Sequence, residues 1–370
     1  MHEGDRAPVL VAAGGTGGHL FPAEALAAAL ARRGIAVHLA TDRRAARYGG
    51  ALAEGSVHVI ASATLAARNP IAVARTATML GVGLMQSRAL LRRLKPGAVI
   101  GFGGYPTIPP VLAAAWRGVP SLIHDANAVI GRANRLLAPR VTAIATTFPE
   151  VFSDRPELAA KARLTGNPVR PAVVAAAEMP YPARDGPLRL LVFGGSQGAR
   201  VMADIVPAAI GGLEAGLRGR LAITQQAREE DSGRVRDSYA KLGVAAEIAP
   251  FFADLPARMA ASHLVVARSG ASTVAELAAI GRPAILVPLP HALDQDQFAN
   301  AGVLERAGGA IRLVQEAFTP QRLAAEIAAL AAAPERLAAM AAAARSMGRL
   351  DAADRLADLV LEVAEAAANK

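Results

Sequence analysis

Two glycine-rich turns, about half the chain apart, constrain the fold more than any other feature. They are Gly14-Gly15-Thr16-Gly17-Gly18-His19 and residues 194–200, and each follows a short, largely apolar run. Because glycine permits a tight strand-to-helix turn, backbone N–H groups can approach an anion at the start of the following helix. Neither turn has the lysine of a Walker A loop or the G-x-G-x-x-G spacing. The chain is therefore predicted to use one nucleotide-binding design twice.

The alternation of apolar and helical segments predicts an α/β protein with two domains. A length of 370 residues suits two or three domains at about 150 residues each. Strand-like runs alternate with helical patterns in both halves, which favours two doubly wound parallel sheets. We expect strands at residues 9–13, 36–40, 57–60, 98–100, 121–124 and 143–145, and at 188–193, 221–224, 245–249, 264–267 and 284–287.

The hinge between the domains is predicted at residues 166–171, where two prolines and a glycine cannot continue a regular element. This prediction gives an N-terminal domain at residues 1–167 and a C-terminal domain at 168–350. The last segment, 351–370, is a strong helix former. We expect it to pack back on the N-terminal domain.

Composition limits the partners and the setting. The absence of cysteine excludes disulfides and thiolate metal sites, and it permits a reduced cytoplasmic setting. The N-terminal residues lack the apolar core of a signal peptide. No uncharged stretch is close to the length of about 20 residues that a membrane-spanning helix needs. We therefore expect a soluble or surface-attached protein. The net charge of +9 suits an anionic partner. Nucleic acid is disfavoured, because aromatic residues are sparse and the arginines are scattered.

Polar side chains gather where the expected strands end. Open α/β sheets bind ligands at the carboxyl ends of their strands, so two sheets facing each other across a hinge would bring these groups to one cleft. Such a cleft suits a reaction between two bound substrates. The groups are His19, residues 103–105, residues 124–127, Asn167 with Arg170, Ser196-Gln197, residues 268–273, Glu276, and residues 294–297.

The segment 264–276 carries the sharpest of these signals. An apolar strand ends at Arg268, a small-residue turn follows, and a helix begins near Ser272. The N–H groups at such a helix end could bind a diphosphate, and Glu276, about one turn on, could accept hydrogen bonds from sugar hydroxyls. The alternative is a Ser or Thr N-cap with an acidic residue that favours the helix dipole.

Six motifs, in their order along the chain, resemble the MurG family. They are residues 14–19, 101–105, 124–128, 166–170, 194–200 and 268–271, and the resemblance extends to about residue 301. Members of this family transfer N-acetylglucosamine (GlcNAc) from UDP-GlcNAc to lipid I, which yields lipid II in peptidoglycan synthesis. The resemblance implies a GT-B fold of two Rossmann-like domains, with the lipid-linked acceptor on the first and the donor mostly on the second.

The resemblance also implies which residues bind the donor. Arg170 and Ser196 would lie near the nucleotide phosphates, and the turn at Ala271–Thr273 would hold the diphosphate. Glu276 would bind the ribose, Gln297 would read the GlcNAc hydroxyls, and the backbone of Phe252 would contact uracil. The full donor set is Thr16, Gly17, Gly18, Asn127, Arg170, Ser196, Gln197, Phe252, Gly270, Ala271, Ser272, Thr273, Glu276 and Gln297.

On the acceptor side the resemblance points to Thr16, Gly17, Gly18, His19, Tyr105 and Asn127. His19 is the candidate general base, since an imidazole titrates near neutrality and can take the proton of the muramyl C4 hydroxyl. A helix cap or a space-filling role is the alternative for His19. Asp125 is the rival base. The family pattern at this place is His-Glu-Gln-Asn, whereas this chain has His124-Asp125-Ala126-Asn127 and so departs from the family at Asp125 and Ala126.

The implied reaction is an inverting single displacement that gives a β-1,4 linkage. Charge on the departing UDP would be stabilised by a helix N-terminus, Arg170 and turn amides. We expect no cofactor and no metal, because no Asp-x-Asp motif follows a strand and no His/Cys ligand cluster occurs. The segment Asp294-Gln295-Asp296 has the Asp-x-Asp sequence, but it matches the family's sugar-binding loop.

One basic, amphipathic stretch is expected at the membrane surface. Ile71, Met79, Leu80, Val82, Leu84 and Met85 are interleaved with Arg68, Arg75, Arg88, Arg92, Arg93 and Lys95, and Trp116-Arg117 could extend the patch. Anionic headgroups would attract such a surface. An ordinary core helix with a solvated basic face is the alternative. With the resemblance, the stretch implies a peripheral protein on the cytoplasmic face of the plasma (inner) membrane, where other cell-wall synthesis proteins could be partners.

Two other functions compete with the lipid I transferase. One is a GT-B transferase with a soluble acceptor, which the acceptor-side motifs disfavour. The other is a catalytically silent nucleotide-sugar or anion binder. That protein would need substituted site residues, yet His19, Arg170, Ser196, Glu276 and Gln297 are all present.

Overall fold

The computed structural model describes residues 6–14, 17–43, 56–63, 70–149, 151–183, 185–195, 198–290 and 294–369. The chain divides into two compact units. Unit 1 comprises Met1–Arg170 and Leu350–Lys370, and unit 2 comprises Pro171–Arg349.

Unit 1 is built on a parallel sheet in which seven strands are described. Their order is β3-β2-β1-β4-β5-β6-β7, so β1 and β4 are neighbours although two strands separate them in sequence. The strands are β1 Val9–Ala12, β2 Val37–Thr41, β3 Val57–Val59, β4 Ala98–Gly101, β5 Ser121–Asp125, β6 Ala143–Thr146 and β7 Ala162–Leu164. The helices are α1 Gly17–Ala31, α2 Pro70–Leu94, α3 Ile108–Trp116, α4 Arg132–Leu137, α5 Pro156–Ala159 and, at the end of the chain, α15 Ala352–Ala368.

The last helix, α15, belongs to the core of unit 1. Leu356 and Val360 are fully buried in the same apolar cluster as Leu26 and Leu30 of α1. At the rim, Arg33 lies 2.8 Å from Asp354 and 2.9 Å from Asp358. These ion pairs are partly exposed and add little stability, so apolar packing holds the helix in place.

Unit 2 repeats the design with a parallel sheet in which six strands are described. Their order is β10-β9-β8-β11-β12-β13. The strands are β8 Leu188–Phe193, β9 Leu221–Gln226, β10 Ala245–Ala249, β11 Leu264–Ala267, β12 Ala284–Leu286 and β13 Ala310–Arg312. The helices are α6 Pro171–Ala176, α7 Arg200–Gly211, α8 Ala215–Arg218, α9 Glu229–Lys241, α10 Leu255–Ala261, α11 Ala271–Ile280, α12 Asp296–Arg306, α13 Pro320–Ala332 and α14 Pro334–Ser346.

The two doubly wound parallel sheets predicted from the sequence are confirmed, and each also holds a strand that the sequence did not predict. These are β7 and β13, three residues each and each at one end of its sheet. Both carry an arginine, Arg163 in β7 and Arg312 in β13. A strand at the edge of a sheet is half solvated, so it does not need the continuous apolar run of a central strand.

Each sheet has one point at which the strand order reverses, between β1 and β4 in unit 1 and between β8 and β11 in unit 2. In open α/β sheets, ligands bind outside the carboxyl ends of the strands at this point. The two glycine turns follow β1 and β8, the turn at residues 268–273 follows β11, and Gly103-Gly104 follows β4. No single helix within the described ranges is long and apolar enough to cross a membrane, while α13 and α14 pass that test only as a pair bent by 99°.

Candidate functional site

At the reversal point of unit 1, His19 packs against the turn Gly103-Gly104, which follows β4. Gly103 and Gly104, just after β4, have φ of 91° and 76°, a conformation that favours glycine. A Cβ atom on Gly103 would lie 3.2 Å from Cε1 of His19, and one on Gly14 would lie 2.8 Å from Cγ of Pro106. The turns after β1 and β4 therefore pack tightly on each other, with the imidazole of His19 between the first helix turn and Gly103.

The neighbouring strand β5 ends in a buried histidine. His124 is fully buried and its Nε2 lies 3.0 Å from the carbonyl oxygen of Gly166. Because a carbonyl only accepts, this contact places a proton on Nε2. Burial, opposed by the Gly166 hydrogen bond and reinforced by the charge of His19, lowers the pKa of His124 to about 4. His124 is therefore neutral near pH 7.

The carboxylate of Asp125 organises the loop after β5. Its Oδ1 accepts the N–H of Asn127 at 3.1 Å, and its Oδ2 accepts the N–H of Gly131 at 2.9 Å. The Nδ2 group of Asn134 donates to the same Oδ2 at 3.0 Å and to the carbonyl of His124 at 2.9 Å. Asp125 is 1% exposed. Its oxygens are thus committed to the loop that carries Asn127.

Asn134 is a residue that the sequence analysis missed. It is 3% exposed and lies in α4, where its amide ties the end of β5 to that helix. No clear signal marks it in the sequence, because Asn134 lies between Ala133 and the charged Arg135 in the short helix Arg132–Leu137.

The remaining predicted residues of unit 1 are spread along the same edge. Gly17 and Gly18 form the first turn of α1, and Tyr105 opens a short 3₁₀ turn directly after Gly104. The guanidinium of Arg170 lies over the ring of Phe21, 4.7 Å from its centre. Thr16 lies outside the described residues.

The glycine turn of unit 2 has no room for a side chain at Gly194 or Gly198. A Cβ atom on Gly194 would lie 2.2 Å from the backbone nitrogen of Ala199, and one on Gly198 would lie 2.7 Å from Cγ of Arg228. Gly195 and Gly198 have φ of 92° and 69°. The turn from β8 to α7 therefore depends on glycine at all three positions. Ser196 and Gln197 lie outside the described residues.

The turn at residues 268–273 has the geometry of an open helix N-terminus. Gly270 is the N-cap residue and supplies no side-chain cap, so the expected alternative of a Ser or Thr N-cap is wrong for this helix. Ala271, Ser272 and Thr273 form the first turn of α11. The hydroxyl oxygen of Ser272 is buried and has no hydrogen-bond partner among the described residues. Glu276, one turn on, is 6% exposed.

The end of β11 also holds the segment that contains Gln297. The hydroxyl of Ser269 donates to the carbonyl of Gln297 at 2.8 Å. The N–H of Leu289 donates to Oε1 of Gln297 at 3.0 Å. Arg268, buried by the same strand end, donates to the carbonyl oxygens of Val287 and Pro288 at 3.1 and 2.9 Å. The backbone of Gln297 is therefore fixed to the turn at residues 268–273 by the hydroxyl of Ser269.

Two phenylalanines follow β10, and they differ in exposure: Phe252 is buried and Phe251 is exposed. Phe252 is 7% exposed, and the guanidinium of Arg258 lies over its ring at 4.4 Å. Phe251 is 67% exposed. The Nε group of Arg258 donates to Asp254 at 2.7 Å, which fixes the guanidinium on the ring.

Among the residues that the structure describes, no group of three or more His, Cys, Asp or Glu side chains could hold a metal ion.

Comparison with known families matches both units to one family. Residues 9–146 match the glycosyltransferase family 28 N-terminal domain, and residues 189–356 match the family 28 C-terminal domain. Similar proteins include a Rhodopseudomonas palustris (strain BisB18) protein named UDP-N-acetylglucosamine--N-acetylmuramyl-(pentapeptide) pyrophosphoryl-undecaprenol N-acetylglucosamine transferase. It is 64% identical over 96% of each chain. A Bradyrhizobium diazoefficiens protein of the same name is 62% identical over 96% of this chain and 98% of its own.

Solved structures with the same two-domain fold are also similar to this chain. The crystal structure of Acinetobacter baumannii MurG is 28% identical, with a TM-score of 0.79 over 96% of this chain and 99% of that one. The UDP-GlcNAc 2-epimerase of Neisseria meningitidis is 14% identical, with a TM-score of 0.68 over 96% and 100% of the two chains, and this likeness concerns the fold alone. The expected GT-B class is confirmed. The chain belongs to glycosyltransferase family 28 and, within it, to the MurG family.

Proposed function

We propose that the protein transfers GlcNAc from UDP-GlcNAc to the C4 hydroxyl of N-acetylmuramic acid in lipid I, forming the β-1,4-linked disaccharide of lipid II. The observation that carries the proposal is the 64% identity, over 96% of both chains, to a transferase named for this reaction. The positions of the polar residues at the two reversal points support it, because these are the points where α/β sheets bind ligands.

The donor is assigned to unit 2. The open N-terminus of α11, formed by Gly270, Ala271, Ser272 and Thr273, suits the diphosphate, since its first N–H groups lack partners within the helix. The hydroxyl of Ser272, which has no hydrogen-bond partner in the described part of the chain, supports this placement, because a buried donor without an acceptor is costly. Ser196 and Gln197, with the glycine turn, are assigned to the same phosphates.

The other parts of the donor follow from this placement. Glu276 lies one helix turn beyond Ser272 and is assigned to the ribose hydroxyls. Gln297 is assigned to the GlcNAc hydroxyls. The hydrogen bond from the N–H of Leu289 holds its side-chain amide in one orientation, which supports this assignment. The backbone of Phe252 is assigned to uracil.

The acceptor is assigned to unit 1, with His19 as the general base. Its imidazole takes the proton of the attacking hydroxyl as that oxygen displaces UDP from the opposite face of the sugar. Thr16, Gly17, Gly18, Tyr105 and Asn127 are assigned to the acceptor beside it. Asp125 is assigned a positioning role, because its carboxylate already accepts three hydrogen bonds that shape the loop of Asn127.

Charge on the departing UDP is stabilised without a metal ion in this proposal. The dipole of α11, the amides of the glycine turn and the guanidinium of Arg170 supply the positive potential that a divalent cation gives in other transferases. The mechanism therefore requires no cofactor.

Helix α2 is proposed to hold the protein at an anionic membrane surface. Val82 and Met85, which are 37% and 65% exposed, share one helix face with the exposed Arg88 and Arg92. Trp116, at the end of the adjacent helix α3, is 58% exposed. Apolar side chains beside arginines fit the boundary between headgroups and acyl chains. This placement implies the cytoplasmic face of the plasma membrane, where the lipid-linked acceptor lies. Arg68 lies outside the described residues.

A transfer assay tests the proposal. Purified protein, radiolabelled UDP-GlcNAc and a lipid I analogue are expected to give a labelled disaccharide lipid with a β-1,4 linkage, at a rate that EDTA leaves unchanged. A soluble sugar acceptor in place of the lipid I analogue serves as the control for a different acceptor class. Transfer to the soluble acceptor alone, or loss of the rate with EDTA and its recovery with a divalent cation, would contradict the proposal.

A further inference from the structure

Gln226, the last residue of β9, joins the two segments that the proposed function assigns to the nucleotide. Its Nε2 group donates to the carbonyl of Gly195, in the glycine turn, at 3.0 Å and to the carbonyl of Pro250, next to the Phe251-Phe252 segment, at 3.1 Å. Its Oε1 accepts the N–H of Gly194 at 3.0 Å. The residue is 6% exposed.

This side chain has no remaining donor. A glutamine amide carries two N–H groups and one oxygen, and here both N–H groups are used by carbonyls from different loops. Since the two N–H bonds lie in one rigid plane, the amide fixes the separation of the two carbonyls. The glycine turn on one side is closely packed, because a Cβ atom on Gly194 would lie 2.2 Å from the backbone nitrogen of Ala199.

The segment after β10 is held from its other side as well. Arg258 lies over the ring of Phe252 and donates to Asp254 at 2.7 Å. It also pairs with Glu247 of β10. Residues 250–254 are thus fixed between Gln226 and Arg258.

We propose that Gln226 is a positioning residue that sets the distance between the base-binding segment and the phosphate-binding turn. The uridine and diphosphate parts of the donor then bind as one ligand, because each part raises the effective concentration of the other at its own subsite. This inference rests on the proposed function, since it takes the donor subsites from it. Gln226 itself does not need to touch the nucleotide.

Binding of nucleotide fragments tests the inference on the full chain. Isothermal titration calorimetry is carried out with UDP, uridine and pyrophosphate on the wild type and on Gln226→Met, which removes all three hydrogen bonds at similar volume. We expect the affinity for UDP to fall by about 10- to 100-fold, because the subsites no longer lie at a fixed distance and part of the about 10²–10⁴-fold advantage of binding two linked groups is lost. The affinities for uridine alone and pyrophosphate alone are expected to stay nearly unchanged.

Two further variants separate positioning from folding. Gln226→Glu keeps an acceptor for the N–H of Gly194 but, as a carboxylate, loses both donors and adds a negative charge near the phosphate subsite. Even if the methionine variant does not fold, the affinity of the glutamate variant for UDP is therefore expected to fall by a larger factor than its affinity for pyrophosphate, which reports the charge alone. Gln225→Met is the matched control. Gln225 is fully buried on the same strand and bonds to the hydroxyl of Tyr239 and the carbonyl of Met202, outside the donor segments. It is expected to lower Tm and leave UDP affinity unchanged.

Three results would overturn the inference. UDP affinity equal to the wild type in both Gln226 variants is the first. A parallel fall in affinity for UDP, uridine and pyrophosphate, matched by Gln225→Met, is the second, since it would show a merely structural role. The third is a wild type that binds no UDP. That result would refute the proposed function itself, so the two failures are distinguishable.

Discussion

His19→Ala is expected to lower the turnover number for GlcNAc transfer by a factor of about 10²–10⁴, the contribution typical of a general base. Affinity for UDP-GlcNAc is expected to stay nearly unchanged, because the donor is assigned to unit 2 and His19 lies in the first helix turn of unit 1. The imidazole packs against Gly103, so the turns after β1 and β4 hold it at the reversal point of the sheet. Steady-state kinetics with a lipid I analogue measure the turnover number, and calorimetric titration with UDP-GlcNAc in the absence of acceptor measures the donor affinity.

The pH dependence separates a base from a residue that only fills space. The wild type is expected to lose kcat on the acidic side as the base becomes protonated, and this dependence is expected to disappear in His19→Ala and His19→Gln. His38→Ala is the matched control, because His38 lies on β2, stacked on His58 at 5.2 Å. Unchanged turnover in His19→Ala, or an acidic limb that persists in both His19 variants, would remove His19 from the role.

Arg282→Met is expected to lower the free energy of unfolding by about 3–5 kcal/mol, because several buried backbone carbonyls lose their donor at once and each unsatisfied group costs about 1–3 kcal/mol. Arg282 is 1% exposed, and its guanidinium donates to the carbonyls of Ala260, Ile280, Gly281, Met179 and Pro180. Burial lowers its pKa to about 10, so it remains charged at neutral pH. Without it, carbonyls from α10, from the end of α11 and from the segment after α6 would be buried without donors.

The control for this substitution is an arginine at the surface. Arg322 is 55% exposed and pairs with Glu326 one turn along α13. Arg322→Met is expected to cost no more than about 0.5 kcal/mol. Arg282→Lys is expected to fall between the two, since it keeps the charge but supplies fewer donors. Urea unfolding followed by circular dichroism gives all four free energies. Equal stability of Arg282→Met and Arg322→Met would contradict the structural role assigned to Arg282.

The central strands could be predicted because their sequences are apolar over four to six residues, as in Val9–Ala12 and Leu264–Ala267. Such runs need no tertiary information, since a strand covered on both faces is apolar throughout. Strands β7 and β13 could not be predicted in this way. Both are three residues long and lie at sheet edges, where pairing with a neighbour, rather than burial, defines the strand.

The residues that hold the site together were harder to predict than the residues that line it. His19 and Glu276 stand at strand ends or helix starts, which sequence patterns mark. Gln226 and Arg282 act through backbone carbonyls of distant segments, and their partners are visible only after folding. Arg282 follows Gly281, the left-handed residue that ends α11, so the sequence alone favours an exposed loop position.

The central claim is that the nucleotide binds at the carboxyl edge of the six-stranded sheet of unit 2. A photoreactive 5-azido-uridine analogue of UDP-GlcNAc tests it most directly, with labelled peptides identified by mass spectrometry and excess UDP as competitor. The label is expected in residues 250–276, which contain Phe252 and the start of α11. UDP-sensitive label confined to residues 9–146 of unit 1 would contradict the account.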